Sequence, residues 1–164
     1  KIMNKKLIRP KSLKDVDKLD LNKCVGPAKV IKIKGKGPKS KITINDLKKY
    51  ESHFTPGARI IINLGWYKLF PRNEFFSEMP GITTVCAKWL ASKKISMLGL
   101  DIPGVNPKDW EQVHKILLKE EIVIIEALNN LNKITADEVF FVGLPLKLRG
   151  RDGSPIRAIA IEGM

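Results

Sequence analysis

Three consecutive isoleucines in ARIIINLG (Ala58 to Gly65) constrain the fold more than any other feature of the chain. A β-strand turns successive side chains to opposite faces, so an unbroken isoleucine run of strand length is satisfied only where both faces of a sheet are covered. A sheet with one wet face is thereby excluded. Short apolar runs recur in ISMLGLD (95–101), IVIIE (122–126), EVFFVGLPL (138–146) and PIRAIAIEG (155–163), and IVIIE reads as a central strand. Two amphipathic stretches between these runs supply the covering layer. ITTVCAKWLASKK (82–94) offers Val85, Ala87, Trp89 and Leu90 on one helical face behind a cap at Thr83 or Thr84. DWEQVHKILLKEE (109–121) offers Trp110, Val113, Leu117 and Leu118. Further upstream, AKVIKIK (28–34) alternates apolar and cationic side chains in the manner of a half-buried strand. Asn45 then reads as the cap of a short helix over 46–54, and 67–81 reads as a loop rich in aromatics. Strands alternating with helices and punctuated by glycine and proline predict a single α/β domain with a central mixed β-sheet and flanking helices.

Charge divides the chain differently. Of the net +13, residues 1–50 carry 16 Lys or Arg against 4 Asp or Glu, and the remainder is almost balanced at 14 against 13. A basic arm of this kind suits phosphate backbones, but it holds one arginine, and Tyr50 is its one aromatic. Arginine forks and stacking platforms are therefore missing, and a nucleic-acid reader is not expected. A lysine-rich bias, or a segment that packs on something acidic, accounts for it better. Residues 1–20, polar and without a period, predict a basic, poorly ordered lead-in to a domain over 21–164. The start KIMNKKLIRPK lacks the apolar stretch of a secretory signal, and no run reaches the roughly 18–20 apolar residues of a membrane helix. Cys24 and Cys86 stand apart from each other and from any metal-binding spacing, as expected of reduced structural thiols in a cytoplasmic protein.

Two residues have the chemistry of a site. Glu126 ends the apolar strand IVIIE, so its carboxylate lies at the rim of the sheet or is buried and paired. His114 sits beside Val113 on the preceding helix and three residues before Leu117, within reach of the buried face. If that helix packs on that strand, imidazole and carboxylate converge as two donors suited to Zn²⁺ or a similar ion. The plainer reading is a surface histidine and a glutamate that caps a turn. Trp66, Phe75 and Phe76 are candidates to line an aromatic substrate pocket, or equally to cover the core. Arg157 reads as a partner for a carboxylate within the fold rather than as a substrate contact, and GRDG (150–153) as a turn, since no helix follows it.

Along the chain stand, in order, LGW (64–66), PGIT (80–83), WL (89–90), LGLD (98–101), His114, IIEALNNL (124–131) and PLKLRGRDGSPIRAIA (145–160). This order of motifs resembles that of the cyclase-family metal-dependent hydrolases, the group that includes bacterial kynurenine formamidase. The resemblance implies a swivelling β/β/α-type fold. It also implies metal-dependent hydrolysis of a C–N amide bond in a small substrate of the aryl formamide or cyclic amide kind. One or two divalent ions, zinc or manganese, would be the cofactor, with His114 and Glu126 as two of their ligands. The family's upstream motif, HxGTHxDxPxH, holds the remaining ligands and the proton-moving histidine. Nothing in this chain matches it, so no catalytic residue is assigned. The other histidine, His53, has none of the motif's neighbours and reads as a helix-end residue. The chain accordingly reads as N-terminally truncated relative to the family: a fragment, a half that needs a partner chain, or a degenerate paralogue. The family pattern also departs at LGW, where TGW is usual, and at Gly104 and Asn106, where Ser or Thr and Asp are usual. Uncovered sheet edge or apolar surface would then favour a homo-oligomer or a partner supplying the absent part. The competing expectation is a catalytically inactive member that acts by association.

Overall fold

The isoleucine run lies at the middle of the sheet, as its composition demands. The computed structural model describes residues 15–163. The strands are β1 (Val25–Lys32), β2 (Lys41–Ile42), β3 (Arg59–Asn63), β4 (Gly81–Ile82), β5 (Met97–Leu100), β6 (Val123–Ile125), β7 (Glu138–Val142) and β8 (Ile159–Ile161). Six of them form one sheet in the order β6-β5-β3-β1-β7-β8, while β2 and β4 pair separately. β1, β3, β5 and β6 are mutually parallel; β7 runs antiparallel to β1, and β8 antiparallel to β7. The chain is thus a mixed-sheet α/β domain.

Ile60 and Ile62 face a core shared with α3 (Thr84–Ser92) and α4 (Trp110–Lys119), where Cys86, Leu90, Val113 and Leu117 are buried. Ile61 points the other way, into a second cluster with Ala28, Met97, Leu128, Leu131 and Phe141. Each fully buried isoleucine is worth about 1.5–3 kcal/mol, so this short strand alone strongly favours the two-layered arrangement. The same alternation corrects the reading of AKVIKIK. Val30 and Ile31 face opposite clusters, so β1 is an interior strand with both faces covered at that point. Its lysines escape sideways: Lys29 pairs with Glu138 at 2.7 Å, and Lys32 reaches the Thr135 carbonyl.

Other expectations shift by a residue or a face. The helix expected behind Asn45 begins earlier, as α1 (Ile44–Leu47), and continues as a 3-10 turn over Lys48–His53. Thr43 is its cap, because its N–H and hydroxyl both donate to the Asp46 carboxylate, at 2.7 and 2.8 Å. In α3 the cap is Thr83, whose hydroxyl accepts from the Cys86 amide. Val85 turns outward, 66% exposed, and Cys86 takes the inward place assigned to it. The aromatic segment 67–81 is more ordered than a loop, with a 3-10 turn at Trp66–Leu69 and α2 at Asn73–Ser77. IVIIE is an edge strand, not a central one. Its apolarity reflects cover above and below the sheet rather than neighbours on either side. The expected lead-in over 1–20 falls largely outside the described residues; from Asp15 on, the Val16 amide donates to the Arg151 carbonyl and Asp17 accepts from Gly150.

At the far end of the sheet the register aligns Val25, Val142 and Ile159 in one row and Pro27, Phe140 and Ile161 in the next. These side chains share one face, and both isoleucines of β8 are exposed. No described helix is long and apolar enough to cross a membrane.

Candidate metal and substrate site

Parallel strands β3, β5 and β6 end side by side, and the residues just past their carboxyl ends form one rim. Such rims are where α/β folds gather ligands. Here they bring together Leu64–Trp66 after β3, Asp101 after β5 and Glu126 after β6.

His114 reaches this rim from α4. Its Nδ1 lies 2.8 Å from the Trp110 carbonyl one turn back, and a carbonyl can only accept, so Nδ1 carries the proton. Nε2 then faces Glu126 Oε1 at 3.3 Å. That oxygen is buried and, beyond this contact with His114, has no hydrogen-bond partner among the described residues. In the neutral ring two lone pairs therefore point at one another, an arrangement that calls for a cation between them. Burial pulls the imidazolium down, but the Glu126 carboxylate and the Trp110 carbonyl outweigh it and leave His114 above its ordinary value. A divalent ion meets the same demand. Ligand atoms about 2.0–2.2 Å from a tetrahedral ion stand roughly 3.4 Å apart, close to the observed separation. One imidazole nitrogen and one carboxylate oxygen fit a zinc-like ion in chemistry and spacing. They do not fill its shell: no group of three or more His, Cys, Asp or Glu is gathered for a metal among the described residues.

Beside Glu126 lies a hollow of about 150 Å³ lined by Tyr67, Phe70, Phe75, Ala127, Leu128 and Asn129. Of the three aromatics singled out from the sequence, Phe75 lines it. Trp66 is buried behind it, its indole N–H donating to the Phe75 carbonyl at 3.0 Å. Phe76 is 56% exposed and meets Phe75 edge-on at 4.9 Å. A second hollow of about 240 Å³ opens on the other side of Leu128 and Asn129, bounded by Ile61, Phe141 and Ala158–Ala160.

Sequence reasoning missed Asp101. It is the one charged side chain fully buried among the described residues, and it accepts the amides of Leu64 at 3.1 Å and Trp66 at 2.8 Å. Burial pushes its carboxyl above the ordinary range despite those donors. The signal was present: a carboxylate closing the apolar run MLGLD repeats the pattern that drew notice in IVIIE. His53 lies away from the rim, at the end of its 3-10 turn and stacked on Tyr50. Arg157 is exposed, with no carboxylate partner among the described residues. Both cysteines are free and buried, and burial pushes the Cys86 thiol up to about 12, so neither is a nucleophile at neutral pH.

The sequence pattern of the Cyclase family matches residues 6–107, which ends before His114 and Glu126. A kynurenine formamidase of Geobacillus thermodenitrificans is 34% identical over 148 residues, 88% of this chain and 66% of that one. One from Bacillus thuringiensis is 30% identical over 148 residues, 89% of this chain and 67% of that one. An uncharacterized protein of Methanocaldococcus jannaschii is 37% identical over 131 residues, 79% of this chain and 65% of that one. Among solved structures, an isatin hydrolase bound to a product analogue superposes with a TM-score of 0.79 at 25% identity, covering 89% of this chain and 63% of that one. A potential metal-dependent hydrolase with cyclase activity gives 0.76 at 26% identity, covering 88% and 68%. The chain belongs to the Cyclase family. It spans about two thirds of the length of these relatives.

Proposed function

We propose that this chain carries half of the metal centre and the aryl-binding wall of a divalent-metal-dependent hydrolase of C–N amide bonds, of the aryl formamide or cyclic amide kind. The observation that carries the reading is the approach of His114 Nε2 to a buried Glu126 oxygen at 3.3 Å, an oxygen with no other partner among the described residues. The names of the relatives support the bond type, and the aromatic hollow next to Glu126 supports an aryl substituent on the substrate. When bound, the ion would supply a water of lowered pKa and a polarised carbonyl. The chain's own residues hold and orient. The Trp110 carbonyl fixes the ring of His114 with Nε2 outward, Glu126 contributes the negative charge, and Tyr67, Phe70 and Phe75 exclude water from the aryl side. Zinc and manganese both suit one nitrogen and one oxygen donor.

A stable catalytic zinc site uses three protein ligands, so the remaining donors and the proton-moving group come from outside the described residues. In this reading the centre is completed by further residues of a longer polypeptide, by a second copy or by a partner polypeptide. The two free, buried cysteines support a cytoplasmic setting. The second reading, a family member that binds partners without turnover, is favoured by the incomplete donor set alone.

Calorimetric titration with Zn²⁺ and with Mn²⁺, on the wild type, His114→Ala and Glu126→Ala, separates the two. Binding that is lost in both variants supports the half-site, and hydrolysis of an aryl formamide is then assayed with the metal present. A wild type that binds neither ion rejects the proposal.

A further inference from the structure

We propose that Asp101 is a positioning residue: it clamps the aromatic wall of the hollow to the rim that carries Glu126. The inference rests on reading that hollow as the aryl subsite. Both Asp101 oxygens approach the Leu64 amide, at 3.1 and 3.2 Å, and one of them also accepts from Trp66 at 2.8 Å. Between these two residues Gly65 adopts φ +77°, a left-handed turn closed by its amide donating to Asn63 Oδ1. The turn is thus held at Leu64 and Trp66 by one carboxylate. From Trp66 the constraint passes through the indole N–H to the Phe75 carbonyl, and so to the ring that lines the hollow.

The other side of the clamp is the main chain of Asp101. The Leu100 and Ile102 carbonyls on either side of it accept the amides of Leu128 and Ala127, the residues that follow Glu126 and form the opposite wall. Asp101 therefore lies where the two walls cross. A buried charge is costly unless it is hydrogen-bonded, and a packing residue in this place would have no need of one. A carboxylate serves here because it offers acceptors alone, with geometry for two amides at once. An asparagine filling the same space keeps an oxygen for the Trp66 amide only by turning its N–H₂ toward the Leu64 N–H, so the two arms of the clamp can no longer both be held without repulsion.

The test uses the full chain and compares wild type, Asp101→Asn and Trp66→Phe. Three quantities are read: hydrogen exchange at the three indole N–H groups by NMR, Zn²⁺ affinity by calorimetry, and binding of benzamide, a plain aryl amide, by saturation-transfer NMR. For Asp101→Asn we expect cooperative unfolding and at least about tenfold faster exchange at the Trp66 indole, with Trp89 and Trp110 within about twofold of wild type. Zn²⁺ affinity stays within about threefold, while the benzamide Kd rises about fivefold or more, a split that a merely structural loss would not give. Equal acceleration at all three indoles, or none at Trp66, overturns the proposal. Should Asp101→Asn fail to fold, Trp66→Phe cuts the same path one link later. It must weaken benzamide while the Leu64 amide stays protected, and unchanged benzamide affinity there overturns the proposal. A wild type blind to benzamide refutes the aryl-subsite reading by itself, and the indole exchange still decides whether Asp101 holds the wall.

Discussion

Ala127 adopts φ +56° in the position immediately after Glu126. An L-residue in the left-handed region costs about 1–2 kcal/mol, so the turn that aims Glu126 at His114 is held against a local preference. Ala127→Gly relieves that cost, and thermal or denaturant unfolding should show a gain of about 1 kcal/mol; an unchanged or lower midpoint would refute the argument. Alanine gives no warning of such a conformation, whereas Asn130, at φ +58°, is of a type that often adopts it. The two candidate donors were easier to single out. His114 beside a buried helical face and Glu126 at the end of an apolar strand are visible as letters, but the alignment of Nε2 with Oε1 depends on the Trp110 carbonyl and on where α4 comes to rest.

Among the elements, α1 shows how side-chain chemistry sets a boundary. Asn45 and Thr43 are both good caps by type, and Thr43 wins because Asp46 lies three residues on and closes the reciprocal box. Burial alone would raise the Asp46 carboxyl, but the Lys36 ammonium at 2.7 Å and the Thr43 donors outweigh it and hold it below its usual range. A depressed carboxylate pKa contributes stability that is present above the unfolded value and is lost as pH falls through the folded one. Asp46→Asn should therefore cost about 1 kcal/mol at neutral pH, and the difference from wild type should vanish in acid, below both pKa values. Unfolding midpoints measured across that range check this; a gap that persists in acid would mean that the charge is not the cause. At β5 the governing feature is a missing side chain. A Cβ on Gly99 would lie 2.9 Å from Leu128 Cδ1 and 3.2 Å from Ile61. Gly99→Ala should push Leu128 off the sheet, cost about 1–3 kcal/mol as overpacking and disturb the hollow beside Glu126. Denaturant unfolding with the benzamide titration reads both effects, and an unperturbed variant would show that Leu128 has room to move.

For the whole molecule, the central isoleucine is the sharpest probe of the two-layer arrangement. Ile61→Ala should cost about 2–5 kcal/mol, since the side chain is buried between Met97, Phe141 and Leu128, and a loss below about 1 kcal/mol would mean that this face of the sheet is poorly packed. At the other end of the sheet, the aligned rows that end in Ile159 and Ile161 leave apolar surface exposed, and such surface favours association. Light scattering at high protein concentration is expected to give a mass above that of one chain, and a strictly monomeric mass would count against association. The sequence by itself determined the layered α/β class and the interior place of the isoleucine strand, and it picked out His114 and Glu126 as candidates, because strand and helix periodicity and the burial of isoleucine act locally along the chain. Only the tertiary structure decided that β6 lies at an edge, that Val85 faces outward, that buried Asp101 accepts the amides of Leu64 and Trp66 and that His114 and Glu126 stand 3.3 Å apart. Those outcomes depend on which distant segments share a face, and on hydrogen bonds that exist only once strands far apart in the chain have been brought side by side.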